Sequence, residues 1–299
     1  MRISTSQIFL QGLRAIQEQQ VKLGTVSNQL AQGSKILTPA DDPAAAAAII
    51  GLNEDISRSE QYQRNAQYAS SRLGLQETAM DSAIDIMQRI RELAILGVNG
   101  TQTTDTRADI ALEGRQLLDE MIALANTSDA NGEFIFGGFQ SQTEPMSHDG
   151  AGNFTYSGDQ GQRMVLLSQN RQVAISDSGS DVFLQAPSGS SNSAFTVMWQ
   201  FISDLESNSP NPDILGDVDA VMTEFNSVRS EIGGRQRAID LQNNLNESTR
   251  IRAEQTRSTL QDLDFAEAST QLNQYLTALQ AAQQSFAQIQ NLSLFNVIR

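Results

Sequence analysis

Residues 9–30 read FLQGLRAIQEQQVKLGTVSNQL, and this stretch decides the expected fold. Apolar side chains recur along it at intervals of three, four or seven, and the stripe consists of Phe9, Leu13, Ile16, Leu23 and Leu30. A matching stripe near the other end consists of Leu272, Tyr275, Leu279, Ala282, Phe286 and Ile289. Such spacing is typical of a helix that lies along another helix. We call these two stripes together the terminal seam, and we expect them to pack against each other.

Helix boundaries are readable on the N-terminal side. A first helix is predicted over residues 6–31, with Gly33 at its C-terminal cap. Asp42 is suited to cap the next helix, because its side chain can accept from the free backbone N–H groups of the first turn. Pro43 fits that first turn, where its missing N–H costs no hydrogen bond. The paired aspartates of residues 41–42 therefore indicate a loop and a helix start rather than a catalytic acid pair.

The middle of the chain lacks helical periodicity and predicts strands and turns. The strand candidates are residues 133–136, 153–156, 164–167 and 172–175. The stretch Gly158–Gly161 predicts a hairpin turn, and residues 176–193, rich in Ser and Gly, predict a loop.

The expected fold class is mainly α: an elongated antiparallel helical bundle or coiled coil formed by the N- and C-terminal regions, with an inserted β-rich domain. The predicted domain limits are 1–130 for the N-terminal helical arm, 131–193 for the inserted β-rich outer domain and 194–299 for the C-terminal helical arm.

The formal net charge of −15 is unevenly distributed. Residues 129–226 hold thirteen acidic and two basic side chains, which leaves −4 for the two arms together. Nearly neutral arms can pack against copies of themselves with little repulsion, while an acidic middle stays solvated. A generic acidic surface loop would explain the middle equally well. So acidic a chain is not expected to bind nucleic acid.

The sequence supports no active site. It has no cysteine, which excludes disulfides and thiolate chemistry, and its one histidine, His148, lies in a Gly- and Ser-rich turn. A single histidine cannot form a zinc site of the His-Glu-x-x-His kind, and no phosphate-binding loop or complete calcium loop is present. We therefore expect no catalytic residue, no cofactor and no metal, and no enzyme.

No apolar run approaches the length of roughly 18 residues that a membrane span needs, so membrane insertion is not expected. The N-terminus also lacks the hydrophobic region and cleavage site of a secretory signal. Two interpretations remain open: a cytoplasmic protein, or one that leaves the cell by a route reading another signal.

The terminal seam has two interpretations as well. It either closes a helical hairpin inside a monomer, or it forms a surface that packs subunit on subunit. Polar residues interrupt it at Gln20 and Ser27, so the helices are weak alone and suited to ordering on assembly. We favour assembly, and hence a structural subunit.

Four segments resemble the flagellin superfamily: MRIST at 1–5, GSKILTPADDP at 33–43, NGEFIFGG at 131–138 and NLSLF at 291–295. The resemblance implies export through the flagellar type III apparatus without a cleaved signal, and an export chaperone that binds the C-terminal region. Within the superfamily, the chain is most similar to the junction proteins that connect hook and filament. That similarity implies a homo-oligomeric ring between the first hook-associated protein and flagellin.

A flagellin filament subunit is the alternative within the superfamily. The sequence departs from flagellins where Pro43 follows Asp42, at residues 29–33 (QLAQG) and at the C-terminal FNVIR. A more remote alternative is a type III-secreted effector or enzyme whose coiled-coil arms serve export.

Overall fold

The computed structural model describes residues 5–187 and 192–295. Six α-helices occur in this part of the chain. Their bounds are α1 Thr5–Gln32, α2 Pro43–Val98, α3 Thr104–Ala125, α4 Ala194–Glu206, α5 Ile214–Gln261 and α6 Phe265–Phe295. The predicted mainly α fold, with long helices from both terminal regions, is confirmed.

Two small antiparallel hairpins and a π-helical turn lie between α3 and α4. Strands β1 (Met146–His148) and β2 (Phe154–Tyr156) form the first hairpin. Strands β3 (Met164–Ser168) and β4 (Arg171–Ala174) form the second, with a bulge between Leu166 and Ser168. The π-helical turn, Ser180–Leu184, follows β4. The inserted β structure is confirmed, although it amounts to two separate two-stranded sheets.

The chain forms two compact units. Unit 1 contains residues 1–58 and 249–299, and unit 2 contains residues 59–248. Unit 1 has nine acidic and nine basic residues and is therefore neutral, whereas unit 2 has 26 acidic and 11 basic residues and carries the whole net charge of −15. The predicted domain limits at residues 130 and 193 stay a prediction. The two units are defined by which residues pack together, and they divide the chain after residues 58 and 248 instead.

Unit 2 holds the large hydrophobic core. Phe183 of the π-helical turn lies at its centre, with ring centroids 5.2 Å from Phe136, 5.7 Å from Phe195 and 5.8 Å from Phe225. Further apolar side chains of α2 are completely buried in the same core: Leu73, Met80, Met87 and Ile90. One aromatic cluster thus brings together four elements: the loop after α3, the π-helical turn, α4 and α5.

Two local predictions were wrong. Residues 133–136 form no strand, because Phe134 makes only an isolated antiparallel bridge with Ser128 and its own N–H donates to Ser141 O. The stretch Gly158–Gly161 is not a hairpin turn, since β2 pairs backward with β1 rather than forward with β3. Part of the predicted loop at 176–193 is the π-helical turn.

The helix boundaries agree with the sequence more closely. Asp42 Oδ1 accepts from Ala44 N at 3.1 Å and Ala45 N at 3.0 Å, which confirms it as the N-terminal cap of α2. Gly33 adopts a left-handed φ of 68° directly after α1, as a C-terminal cap requires. The C-terminal helical region is interrupted at residues 262–264, between α5 and α6.

Among the helices of the described part, none combines the length and the apolar character that crossing a bilayer requires.

Candidate assembly site of the terminal helices

Helices α1 and α6 pack against each other within unit 1. Phe9 and Phe286 meet with ring centroids 4.9 Å apart. Phe286 also lies over the bare backbone of Gly12, where an added Cβ would come within 2.8 Å of the ring atom Cδ2. These contacts set the antiparallel register, in which Ile16 is level with Leu279. The two ends of the chain are therefore neighbours, as the terminal seam predicts.

The seam residues are only partly covered by this contact. Phe9 and Leu13 remain exposed, and the other described side chains of the seam are half-buried: Ile16, Leu23, Leu30, Leu272, Tyr275, Leu279, Ala282 and Phe286. The side chain of Ile289 lies outside the described residues. The contact between α1 and α6 therefore leaves apolar surface uncovered along the pair.

Two residues of the contact were missed by the sequence reasoning. Among the described side chains of α1 and α6, Val26 and Ala268 are the buried apolar ones. A signal for both was present, because Val26 follows Leu23 by three residues and Ala268 precedes Leu272 by four. Their steps continue the same three-and-four alternation.

The loop after α1 is tied to the break between α5 and α6. Lys35 N donates to Gln261 O at 2.8 Å, and Leu263 N donates to Gly33 O at 3.1 Å. Lys35 Nζ also reaches Thr259 O at 2.7 Å. Backbone bonds of this kind fix where α6 begins relative to the end of α1.

Asp41 organises the next turn of the same loop. Its Oδ2 accepts from Thr38 N at 2.8 Å and from Leu37 N at 2.9 Å. The Thr38 bond first, and then the Leu37 bond, lower the pKa of Asp41 below its usual value, because both favour the ionised carboxylate. A charged Asp41 therefore holds the turn that leads into α2.

The outward sides of α1 and α6 expose further apolar surface, and α6 carries almost no charge. Leu10, Val21 and Leu276 are exposed, and Glu267 is the only charged residue of α6. One side of α6 carries only small or uncharged side chains: Thr270, Asn273, Gln274, Thr277, Ala278 and Ala281. Such surface can be buried by a partner without stripping water from a charge.

In unit 2, the loop after α3 is anchored on α2 by a buried arginine. Arg72, whose side chain is 1% exposed, donates through Nη1 to Asp129 at 3.0 Å and through Nη2 to Phe134 O at 3.3 Å. Glu133 accepts from Arg163 Nη1 at 2.6 Å and also lies 3.4 Å from Arg72 Nη1. The motif at 131–138 thus turns the chain and attaches the insert to α2.

The described residues offer little for chemistry. No group of three or more His, Asp or Glu side chains within residues 5–187 and 192–295 is arranged to hold a metal ion. The Nδ1 atom of His148 accepts from Gly150 N at 3.3 Å in an exposed turn, and its ring lies 6.3 Å from that of Phe154. This histidine serves a local turn.

Comparison with known families identifies the class of the protein. The family of the bacterial flagellin N-terminal helical region matches residues 3–141, and that of the bacterial flagellin C-terminal helical region matches residues 215–298. The two matches together span well over half of the chain, which therefore belongs to the bacterial flagellin family.

Individual relatives refine this class. Flagellar hook-associated protein 3 of Escherichia coli is 26% identical over 99% of both chains, and that of Salmonella typhimurium is 24% identical over the full length of both. Flagellin FlaB1 of Treponema pallidum is 26% identical over 76% of this chain and 74% of its own. The crystal structure of the flagellar junction protein FlgL from Legionella pneumophila has a TM-score of 0.63 at 20% identity, over 72% of this chain and 100% of that one, and establishes the shared fold.

Proposed function

We propose that this chain is a structural, non-enzymatic subunit of the bacterial flagellum that joins the hook to the flagellin filament. The observation that carries the proposal is the end-to-end similarity to hook-associated protein 3 in two organisms, which spans helices, insert and termini alike. The proposed location is the hook–filament junction, outside the cell, reached through the flagellar type III export apparatus. The relatives named above are structural flagellar proteins, which supports a role without catalysis.

The proposed partners are other copies of the chain in a homo-oligomeric ring, the first hook-associated protein on one side and flagellin on the other. The neutrality of unit 1 supports packing between copies, because nine acidic and nine basic residues cancel there. An export chaperone is the proposed cytoplasmic partner of the C-terminal region. The net charge of −15 speaks against a nucleic acid partner.

The proposed mechanism uses the surface that the α1–α6 pair leaves uncovered. The terminal seam, from Phe9 to Leu30 on α1 and from Leu272 to Ile289 on α6, would be completed by side chains of neighbouring subunits. Burying one Leu or Phe side chain contributes roughly 1.5–3 kcal/mol. A few half-buried seam residues in each subunit are therefore enough to hold a junction.

A filament subunit is the second candidate, because the family matches are to flagellin regions and FlaB1 covers three quarters of the chain. The two roles differ in what their loss does to the flagellum. A strain lacking a junction protein grows bare hooks and releases flagellin into the medium, whereas one lacking the filament subunit grows hooks and releases none.

Electron microscopy of a deletion strain, combined with immunoblotting of the medium for flagellin, tests the proposal. We expect bare hooks and free flagellin, with filaments restored by the wild-type gene on a plasmid. Intact filaments in the deletion strain would reject the junction role. Bare hooks without any flagellin in the medium would favour the filament subunit.

A further inference from the structure

The turn between α2 and α3 contains the pair Asn99–Gly100, one of two Asn-Gly pairs in the chain. Both of its residues are exposed to solvent. In an Asn-Gly pair the glycine nitrogen can approach the side-chain amide closely, because glycine has no Cβ to hinder it. The geometry of the turn therefore decides whether this asparagine can react with its own backbone.

The side-chain carbonyl of Asn99 is held and polarised by the residue two positions later. Its Oδ1 accepts from Thr101 N at 3.1 Å and from Thr101 Oγ1 at 2.9 Å. An asparagine side chain that is bonded to the backbone two residues ahead folds over the peptide between them, which here ends in Gly100 N. Two donors on one carbonyl oxygen also stabilise the negative charge that this oxygen gains when a nucleophile adds to its carbon.

The nitrogen of Gly100 is available as that nucleophile. Within residues 5–187 and 192–295, no hydrogen bond uses the N–H of Gly100. A Cβ built on Gly100 would meet no atom within 4 Å, so no neighbouring side chain shields the turn. Water therefore has direct access to the reacting groups.

The other Asn-Gly pair, Asn131–Gly132, provides a comparison within the same unit. Gly132 N donates to Asp129 O at 2.9 Å, and this bond must break before the nitrogen can attack. Over the part of the chain that the structure describes, the side-chain oxygen of Asn131 accepts no hydrogen bond. We therefore expect folding to protect Asn131 and to leave Asn99 reactive.

The pair Asp149–Gly150 forms a turn of the same kind. Asp149 Oδ1 accepts from Ala151 N at 2.8 Å, and Gly150 N donates to His148 Nδ1 at 3.3 Å. The side-chain amide of Asn153 first, and then the backbone N–H groups of Ala151 and Asn153, lower the pKa of Asp149, because they favour its ionised form. A turn of this kind thus accommodates a carboxylate, the group that a reaction at Asn99 would create.

We propose that Asn99 is a self-modification site, where the chain's own backbone and a water molecule convert the side-chain amide into a carboxylate. In the first step Gly100 N bonds to Asn99 Cγ and the bond from Cγ to the amide nitrogen breaks. The proton of Gly100 N leaves with that nitrogen as ammonia, and the product is a cyclic imide. This inference is independent of the proposed junction function.

Water opens the imide in the second step. Addition at Cγ breaks the new bond to Gly100 N and gives aspartate in an unchanged backbone. Addition at the backbone carbonyl carbon of residue 99 breaks the original peptide bond instead and gives isoaspartate, in which the chain runs through Cγ. The sum of both steps is hydrolysis of an amide to a carboxylate and ammonia, so water is the only co-reactant.

Either product adds a negative charge to a turn that Arg107 already holds. Arg107 Nε donates to Gly97 O at 3.2 Å, and its Nη2 donates to Asn99 O at 3.4 Å. Its Nη1 donates to Asn208 Oδ1 at 2.6 Å, which ties this turn to the one after α4. In isoaspartate the carbonyl group of residue 99 becomes a carboxylate, so its contact with Arg107 becomes an ion pair.

Peptide mass spectrometry of the purified full-length chain tests the proposal. The chain is incubated at mildly alkaline pH in heavy-oxygen water, which labels each newly formed carboxylate, and is then digested with trypsin. Cleavage after Arg91 and Arg107 releases a peptide in which Asn99 is the only asparagine. We expect labelled aspartate and isoaspartate to form at Asn99 about tenfold or more faster than at Asn131, where the nitrogen is held away from attack.

A parallel sample unfolded in guanidinium chloride removes the effect of the structure. There Asn99 and Asn131 should convert at similar rates, since each is followed by glycine. Folding should slow the conversion of Asn131 only. Equal rates in the folded chain, or an Asn99 that folding slows as strongly as Asn131, would overturn the proposal.

Variants of the turn test the atoms that take part. Thr101→Val removes the hydroxyl and should slow the conversion of Asn99 by about two- to tenfold, as the loss of one exposed hydrogen bond implies. Thr101→Ser, the matched control, keeps the hydroxyl and should convert like the natural chain. Gly100→Ala places a Cβ beside the attacking nitrogen and should leave Asn99 unconverted while the natural chain converts.

Folding of every variant is checked by the fluorescence of Trp199, the only tryptophan. Asn131 in the same samples serves as the internal reference, and its rate should not change among the variants. Equal rates at Asn99 in Thr101→Val and Thr101→Ser would refute the polarising role of the hydroxyl. Undiminished conversion in Gly100→Ala would refute attack by the backbone nitrogen.

Discussion

Replacing Gly12 by alanine tests how closely α6 approaches α1. In a helix interior, Gly is less favourable than Ala by about 1 kcal/mol, so the substitution should stabilise any helix that has room for a methyl group. At Gly12 there is no such room. The new Cβ would lie 2.8 Å from Phe286 Cδ2 and 3.4 Å from Phe286 Cε2.

Gly24 of the same helix provides the matched control, since a Cβ there meets nothing within 4 Å. Overpacking of this kind costs about 1–3 kcal/mol, which offsets or exceeds the gain in helix propensity at Gly12. We therefore expect Gly24→Ala to stabilise the α1–α6 pair by about 1 kcal/mol. The α1–α6 pair should be less stable in Gly12→Ala than in Gly24→Ala by about 1–3 kcal/mol.

Hydrogen exchange of the backbone amides in α1 and α6 measures the local opening free energy directly, without requiring the whole chain to unfold. Trp199 fluorescence should not change in either variant, because the tryptophan belongs to unit 2. Equal protection in the two alanine variants would show that Phe286 does not rest on Gly12, and the register of the pair would have to be revised.

Three further predictions concern the loop and the insert. Asp42→Ala removes the cap of α2 and should cost about 1 kcal/mol, measured as faster amide exchange in the first turn of α2; unchanged exchange would contradict the cap. Hydrogen bonds lower the pKa of Asp41, so its contribution to the stability of the turn is present above the ordinary pKa of about 3.9 and is lost as pH falls through the lowered pKa. The amide NMR shifts of residues 37–38 should follow this titration. In Asp41→Asn these shifts should no longer titrate. Arg72→Met should destabilise unit 2 by about 3–5 kcal/mol in urea unfolding followed by Trp199 fluorescence, since it leaves the largely buried Asp129 without its cation. Arg89→Met, which breaks two exposed pairs, should change little, and equal losses would argue against a buried anchor.

The pairing of the two chain ends could be predicted because the sequence of each helix shows its apolar periodicity by itself. Phe9 and Phe286 belong to stripes of the same kind, and each stripe needs a partner to cover it. The role of Gly12 could not be foreseen in this way. From the sequence alone, a glycine inside a helix indicates only a loss of helix stability, because the aromatic ring that packs on it is not yet known.

The insert was harder to predict because its backbone partners are distant in sequence. Residues 133–136 have the composition of a strand, yet Phe134 O is bonded by Arg72 from a helix more than fifty positions earlier. The π-helical turn places Phe183 in the aromatic core although its neighbours are mostly Ser, Gly and Asp. Tertiary contacts override local propensity at both places.

The assembly role of the terminal seam stays a prediction, and one variant tests it most directly. Leu279→Asp combined with Phe286→Asp places two carboxylates on the contact side of α6, where burial of a charge is costly. In the deletion strain we expect this variant to keep the Trp199 fluorescence of a folded unit 2 but to leave hooks bare under the electron microscope. The control, Leu96→Asp with Leu112→Asp, should restore filaments. Filaments of normal number and attachment in the α6 variant would contradict the account.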